Sequence, residues 1–167
     1  SVDQDHETYS SFPAIVIGDQ DPNFTVRQFI AMDPPKHDQQ RKAVTPAVSP
    51  KNLAKMGPLI RERIGRIMDE LPVGEPFNWV DRVSIELTTQ MLATLFDFPF
   101  EDRRKLTFWS DMATSSPELA GDDSVTAEER QAALEECLAV FTEIWAERAN
   151  QSPEDNNDFI TLMAHSE

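Results

Sequence analysis

His37 and Arg41 stand four residues apart in the stretch that follows Asp33, and in a helix that spacing puts both side chains on one face. An imidazole and a guanidinium leaving the same face suit a carboxylate or a phosphate, the alternative being an ordinary solvated surface. The other reactive groups are scattered. Cys137, the single cysteine, falls on the apolar helical stripe Leu134, Cys137, Phe141, Ile144 and Arg148 and reads as a core thiol rather than a nucleophile or metal ligand. The histidines His6, His37 and His165 form no HExxH pair, and His165 is expected to face solvent. A divalent-metal set of the His…His-Asp…Asp kind could draw only on His6, His37-Asp38 and a later aspartate. No GxGxxG or GxxxxGK[ST] loop is present to cradle phosphates, and no serine sits in a nucleophile elbow.

Charge narrows the classes further. The 167 residues carry 15 basic and 30 acidic side chains, a net charge of −15, which argues against nucleic-acid binding. The bases are concentrated: from Lys36 to Arg66, eight basic side chains, Lys42 and Lys55 among them, meet only the acids Asp38 and Glu62. That stretch is either a solvated helical surface or a docking patch for an acidic partner. At 40% hydrophobic and 8% aromatic the chain is too apolar for a disordered acidic tail, and its length fits one domain or a piece of a larger one. One cysteine fits a reducing cytoplasm, and the chain shows neither a signal-peptide pattern nor an apolar run long enough to span a membrane. The final residues look like a helix cut short, as in a fragment.

The elements that must position these groups read as helices punctuated by proline. Val2 to Tyr9 suggests a short helix and Ala14–Gly18 a brief edge strand, with a turn-rich loop from Asp19 to Thr25. Asp33 is a good N-cap with Pro34 at the first helical position, opening a helix to about Thr45. Ser49-Pro50 repeats the signal ahead of the stripe Leu53, Met56, Ile60, Ile64, Ile67 and Leu71, which Pro58 is expected to divide into two helices. Asn78 with Asp81 resembles a capping box opening a largely buried helix over 79–96. Further helices follow over about 101–113, from the Thr126 cap, and from about Asp158. Ser115–Val125 reads as a loop.

Two segments carry a family resemblance. FIAMDPPKHDQQRKAVTPAVSP (Phe29–Pro50) resembles the C-helix region of bacterial cytochromes P450: an aspartate, two prolines, then a histidine and an arginine four apart. FNWVDRVSIELTTQMLATLFDFPFEDRRKLTFWSD (Phe77–Asp111) is similar to the soluble P450 alkane terminal hydroxylases of bacteria. The resemblance covers nearly the whole chain and implies a mainly α fold, residues 1–167 forming a partial P450 domain. Val2–Ser11 corresponds to the B helix and Asp19–Ala31 to the B–C loop over the haem. Helices C to G follow, with Ser115–Val125 joining F to G, and Phe159–His165 is the H helix. The I helix and the cysteine loop that ligates iron are expected beyond residue 167, so Cys137 is not the ligand and the chain alone is expected to be inactive.

The resemblance further implies a haem cofactor whose propionates His37 and Arg41 bind. It implies a proximal surface with Lys42 and Lys55 where a ferredoxin docks, itself reduced by a ferredoxin reductase. The substrate path is lined by Phe24, Val26, Phe29 and Ile30 of the B–C loop and by Leu119 and Val125 of the F–G loop. The implied reaction is hydroxylation of the terminal C–H of a medium-chain alkane or fatty acid. A stand-alone acidic helical interaction module and a metal-dependent phosphohydrolase are the rival readings.

Overall fold

The computed structural model describes residues 2, 5–13, 28–115, 125–152 and 158–166, and the described residues are helical or irregular, with no strand among them. The suggested strand Ala14–Gly18 and the loop Asp19–Thr25 lie outside them. A 3₁₀ turn, Phe29–Ala31, precedes α1 (Lys36–Val44), and a second, Thr45–Val48, joins α1 to α2 (Pro50–Asp69). A π-helical turn, Val80–Ile85, leads without a break into α3 (Glu86–Phe96). Then come α4 (Arg104–Thr114), the long α5 (Ala127–Ala149) and α6 (Phe159–Ala164). Near the start, the Tyr9 N–H donates to the Asp5 carbonyl at 2.8 Å, closing one helical turn where a short helix was expected.

Several helix starts follow from local chemistry. The Ser49 side chain accepts from the Asn52 N–H, with Pro50 at the first position of α2. Thr126 and Glu129 form a complete capping box on α5, and Asp158 caps α6 by accepting from Ile160 N–H and Thr161 N–H at 2.8 and 3.0 Å. Asn78 accepts from the Asp81 N–H at 3.2 Å.

Two expectations fail for identifiable reasons. Asp33 does not cap α1. Its carboxylate accepts from the Ser10 hydroxyl at 2.5 Å and the Ser11 N–H at 3.0 Å, and these two hydrogen bonds hold its carboxyl below the usual aspartate range. Pro34 cannot open the helix because it precedes Pro35, and a residue before proline is pushed out of the α region. The helix therefore starts after the second proline. Pro58 does not divide α2, which runs unbroken through it. The clash that usually ends a helix before proline involves the Cβ of the preceding residue, and here that residue is Gly57.

The core lies between α3, α4, α5 and α6. Ala93, Phe98, Leu106, Trp109, Ala133, Ile144 and Ile160 are buried, with Cys137 and Phe141 packed against them. Phe98, Trp109 and Phe141 meet mutually with centroids 5.9–6.2 Å apart, and Phe96 meets Phe141 and Phe159 at 5.7 Å. Such aromatic pairs add about 0.5–1.5 kcal/mol each beyond their buried area. Coverage is uneven elsewhere. On α2, Ile67 is buried but Leu53 remains 48% exposed. The helix over 79–96 is less buried than its all-round apolar pattern suggests: Thr89 and Ala93 are enclosed, while Trp79 and Val80 are exposed.

Two charged clusters lock the frame. Arg148, on the inner face of α5, reaches Asp97 Oδ2 at 2.6 Å, just past the end of α3, where Asp97 takes a left-handed φ of 48°. Beside α3, Glu86 accepts from Gln90 Nε2 and from Arg103 Nε and Nη2 at 2.7–3.1 Å, and from Arg104 at 3.3 Å. Burial by itself raises the Glu86 carboxyl, but the Gln90 and Arg103 hydrogen bonds and the arginine charges outweigh it, so Glu86 sits below the usual glutamate range. A depressed carboxylate contributes stability above its unfolded value and loses it as pH falls through the folded one. Glu86→Gln is therefore expected to lower the urea midpoint at neutral pH, with the difference from wild type shrinking below about pH 4.

Candidate functional site

The helix α1 carries the candidate site on a short, polar scaffold with no buried residue. Its two proposed anion ligands differ in setting. The His37 ring is half-buried, packed against Phe29 with centroids 6.0 Å apart, and its Nδ1 lies 2.8 Å from Asp38 Oδ1. Arg41 is exposed one turn on and makes no ion pair among the described residues. It opens, with Asp38, Lys42, Thr45 and Pro46, onto a broad shallow groove of about 460 Å³. Thr45 closes the helix end by donating its hydroxyl to the Arg41 carbonyl at 2.8 Å, leaving the Arg41 side chain unencumbered.

The other expected site residues divide in three. Phe24, Val26 and Leu119 lie outside the described residues. Phe29 is brought against His37, Ile30 beside it is 47% exposed, and Val125 is half-buried at the head of α5. Lys42 and Lys55 are exposed on α1 and α2, and neither has an ion pair among the described residues. Among the described residues Asp38 pairs with His37 rather than with these lysines, whereas Arg66 farther along pairs with Glu62.

Two residues behave otherwise than expected or went unnoticed. His165 is exposed, yet its Nε2 meets the Arg148 carbonyl at 3.0 Å, so its ring joins the frame. Asp38, in sequence a candidate metal ligand and an acid within the basic stretch, partners the His37 ring. Adjacency in sequence carried that signal, but neighbouring helical residues do not ordinarily face each other.

The chemistry of the donor set suits a haem carboxylate edge: an exposed guanidinium with no ion pair among the described residues and, one turn earlier on the same helix, a half-buried imidazole. It does not supply an iron ligand. Among the described residues no three histidine, cysteine or carboxylate side chains gather into a metal site, which removes the described part of the phosphohydrolase set. Cys137 packs against the core, and burial together with the nearby Glu136 charge pushes its thiol up, away from the thiolate a metal requires.

No protein-family model matches the chain. It is 30% identical over 142 residues to linalool 8-monooxygenase of Pseudomonas putida, covering 83% of this chain and 33% of that protein. It is 28% identical over 123 residues to the methyl-branched lipid omega-hydroxylase of Mycobacterium tuberculosis, covering 70% and 29%. Among solved structures, CYP153D17 from Sphingomonas sp. PAMC 26605 is 44% identical with a TM-score of 0.75 over 92% of this chain and 38% of that one. Cytochrome P450-153 from Novosphingobium aromaticivorans is 41% identical with a TM-score of 0.73, over 92% and 36%. The chain belongs to the cytochrome P450 family, whose cofactor is haem. It spans about a third of the length of the relatives it matches. No helix among the described residues is long and apolar enough to cross a membrane.

If the Cys137 thiol is held protonated, its alkylation by iodoacetamide at neutral pH is expected to be at least about tenfold slower than that of a free cysteine peptide, and to recover in urea. Equal rates in the folded chain and the peptide count against a packed thiol.

Proposed function

We propose that this chain is the haem-carboxylate-binding and partner-docking portion of a monooxygenase that hydroxylates the terminal C–H of medium-chain alkanes or fatty acids. Electrons reach it from a ferredoxin and its reductase. The carrying observation is the pairing of His37 and Arg41 on one face of α1, with Arg41 uncommitted among the described residues. A P450 haem supplies oxygen activation when bound. The residues of this chain hold it, and the iron ligand and the oxygen-activating groups are expected beyond residue 167.

Two further features support the reading. By their names, one relative is an omega-hydroxylase of a methyl-branched lipid and another an 8-monooxygenase of linalool, which supports a hydroxylation reading. Phe29, packed on the His37 ring, and the exposed Ile30 offer apolar surface beside the candidate haem edge. The uncommitted Lys42 and Lys55 suit an acidic electron carrier, since exposed positive charge steers such a partner.

Three measurements on the intact, haem-loaded enzyme that contains this chain bear on this. Arg41→Ala is expected to weaken haem retention by about tenfold or more, because a charge-assisted contact contributes about 1.5–3 kcal/mol. His37→Ala costs less, the double variant less than the sum, and Gln39→Ala little. Unchanged haem content in Arg41→Ala removes the propionate role. Reversing Lys42 and Lys55 to Glu is expected to slow reduction by ferredoxin and flatten its salt dependence while sparing peroxide-driven turnover. Equal loss in both assays indicates misfolding instead. Binding of linear alkanes should tighten by about 0.8 kcal/mol per methylene until the site is full. A preference for bulky aromatic substrates contradicts the alkane assignment and leaves the family untouched.

A further inference from the structure

His37 differs from its neighbours on α1. That helix has no buried residue, and the adjacent Asp38 side chain is 68% exposed, yet the His37 side chain is only 26% exposed. An aromatic ring from outside the helix packs against it. Phe29, in the 3₁₀ turn Phe29–Ala31 that packs on α1, meets the imidazole with centroids 6.0 Å apart and planes tilted by 53°. The backbone carrying each ring is itself held. Ala31 is buried, its N–H donates to the Gln28 carbonyl, and the Met32 N–H donates to the Phe29 carbonyl, each at 3.0 Å. Asp33, tied to Ser10 and Ser11, accepts the His37 N–H on its carbonyl at 3.2 Å.

We infer that Phe29 is a positioning residue for the haem carboxylate: its ring holds the His37 imidazole in one orientation on the helix that carries Arg41. This rests on the propionate reading above and deepens it. A side chain on an exposed helix otherwise exchanges between staggered rotamers. Here Phe29 lies against the ring and Asp38 Oδ1 lies 2.8 Å from Nδ1, so two contacts from different directions fix where the ring points. A donor ordered in advance binds more tightly, because its ordering cost is met before the ligand arrives. In this role Phe29 touches no ligand and acts through His37 alone, which separates it from an apolar wall residue of the substrate path. Arg41, exposed one turn on, has no comparable ring against it among the described residues.

The test uses the intact, haem-loaded enzyme that contains this chain and follows haem transfer to excess apomyoglobin. Phe29→Ala should speed haem loss by about two- to tenfold, the range an aromatic pair contributes, and by no more than His37→Ala does. Phe29→Tyr, which keeps the ring, should match wild type. So should Gln28→Ala, whose side chain makes no capping bond to the turn. The double-variant cycle decides: in the His37→Ala background, Phe29→Ala should add less than about twofold. The haem midpoint potential supplies a second readout, in which Phe29→Ala should shift the value in the same direction as His37→Ala and no further in that background. Should Phe29→Ala fail to fold, Phe29→Leu, which keeps apolar bulk without the ring, enters the same cycle. Equal acceleration in both backgrounds makes Phe29 a wall or fold residue and overturns the inference. Faster loss in His37→Ala with none in Phe29→Ala overturns it alone, whereas unchanged loss in both His37→Ala and Arg41→Ala overturns the propionate reading as well.

Discussion

One buried guanidinium organises the frame that presents the candidate site. Arg148 is 9% exposed near the end of α5, and its side chain ends on Asp97, fifty-one residues earlier in the chain. Its Nη2 bridges the Asp97 carboxylate and carbonyl at 2.6 and 3.3 Å, fixing the left-handed turn that ends α3. Its own carbonyl meets His165 just after α6. Three helix ends therefore converge on one residue. Truncating it removes the tie that holds the turn after α3, and breaking buried pairs of this kind costs about 3–5 kcal/mol when both partners are enclosed, less here because Asp97 is half exposed.

The frame explains why α1 can be so polar. A nine-residue helix with no buried side chain has little reason to persist alone in water. It persists because the 3₁₀ turn Thr45–Val48 buries Ala47 behind it, and α6, anchored through His165 and Asp158, packs against its other side. Stability is thus supplied by neighbours, and the helix surface stays available for cations. A surface that keeps uncommitted cations is one where an acidic ligand or partner gains from arriving.

Much of this was legible in the sequence where the cause is local. Ser49, Thr126 with Glu129, and Asp158 are caps whose partners lie within three residues, so type and spacing suffice. The His37–Arg41 face was legible for the same reason. Asp33 misled because its carboxylate is taken by Ser10 and Ser11, more than twenty residues away, a competition no local pattern shows. Pro34-Pro35 and Gly57-Pro58 were readable in principle: in each case the residue beside the proline decides whether a helix can start or continue. The Arg148–Asp97 tie was not, since nothing in an apolar stripe that ends in arginine says which distant carboxylate will meet it. The family resemblance identified the class and singled out His37 and Arg41 as candidates, but not the partner of the His37 ring.

The π turn Val80–Ile85 has a consequence for how the chain enters α3. A π turn closes from i to i+5, one residue more than an α turn, so residues five apart come onto the same side. Asp81 and Glu86 are such a pair, and the single guanidinium of Arg104 reaches both, at 2.7 and 3.3 Å. In an unbroken α-helix those two carboxylates diverge around the axis and one arginine could not serve them together. The surplus residue thus acts as a phase shifter: it rotates the incoming segment relative to α3, so that Thr89 and Ala93 keep their inward register while the preceding turn is free to take another.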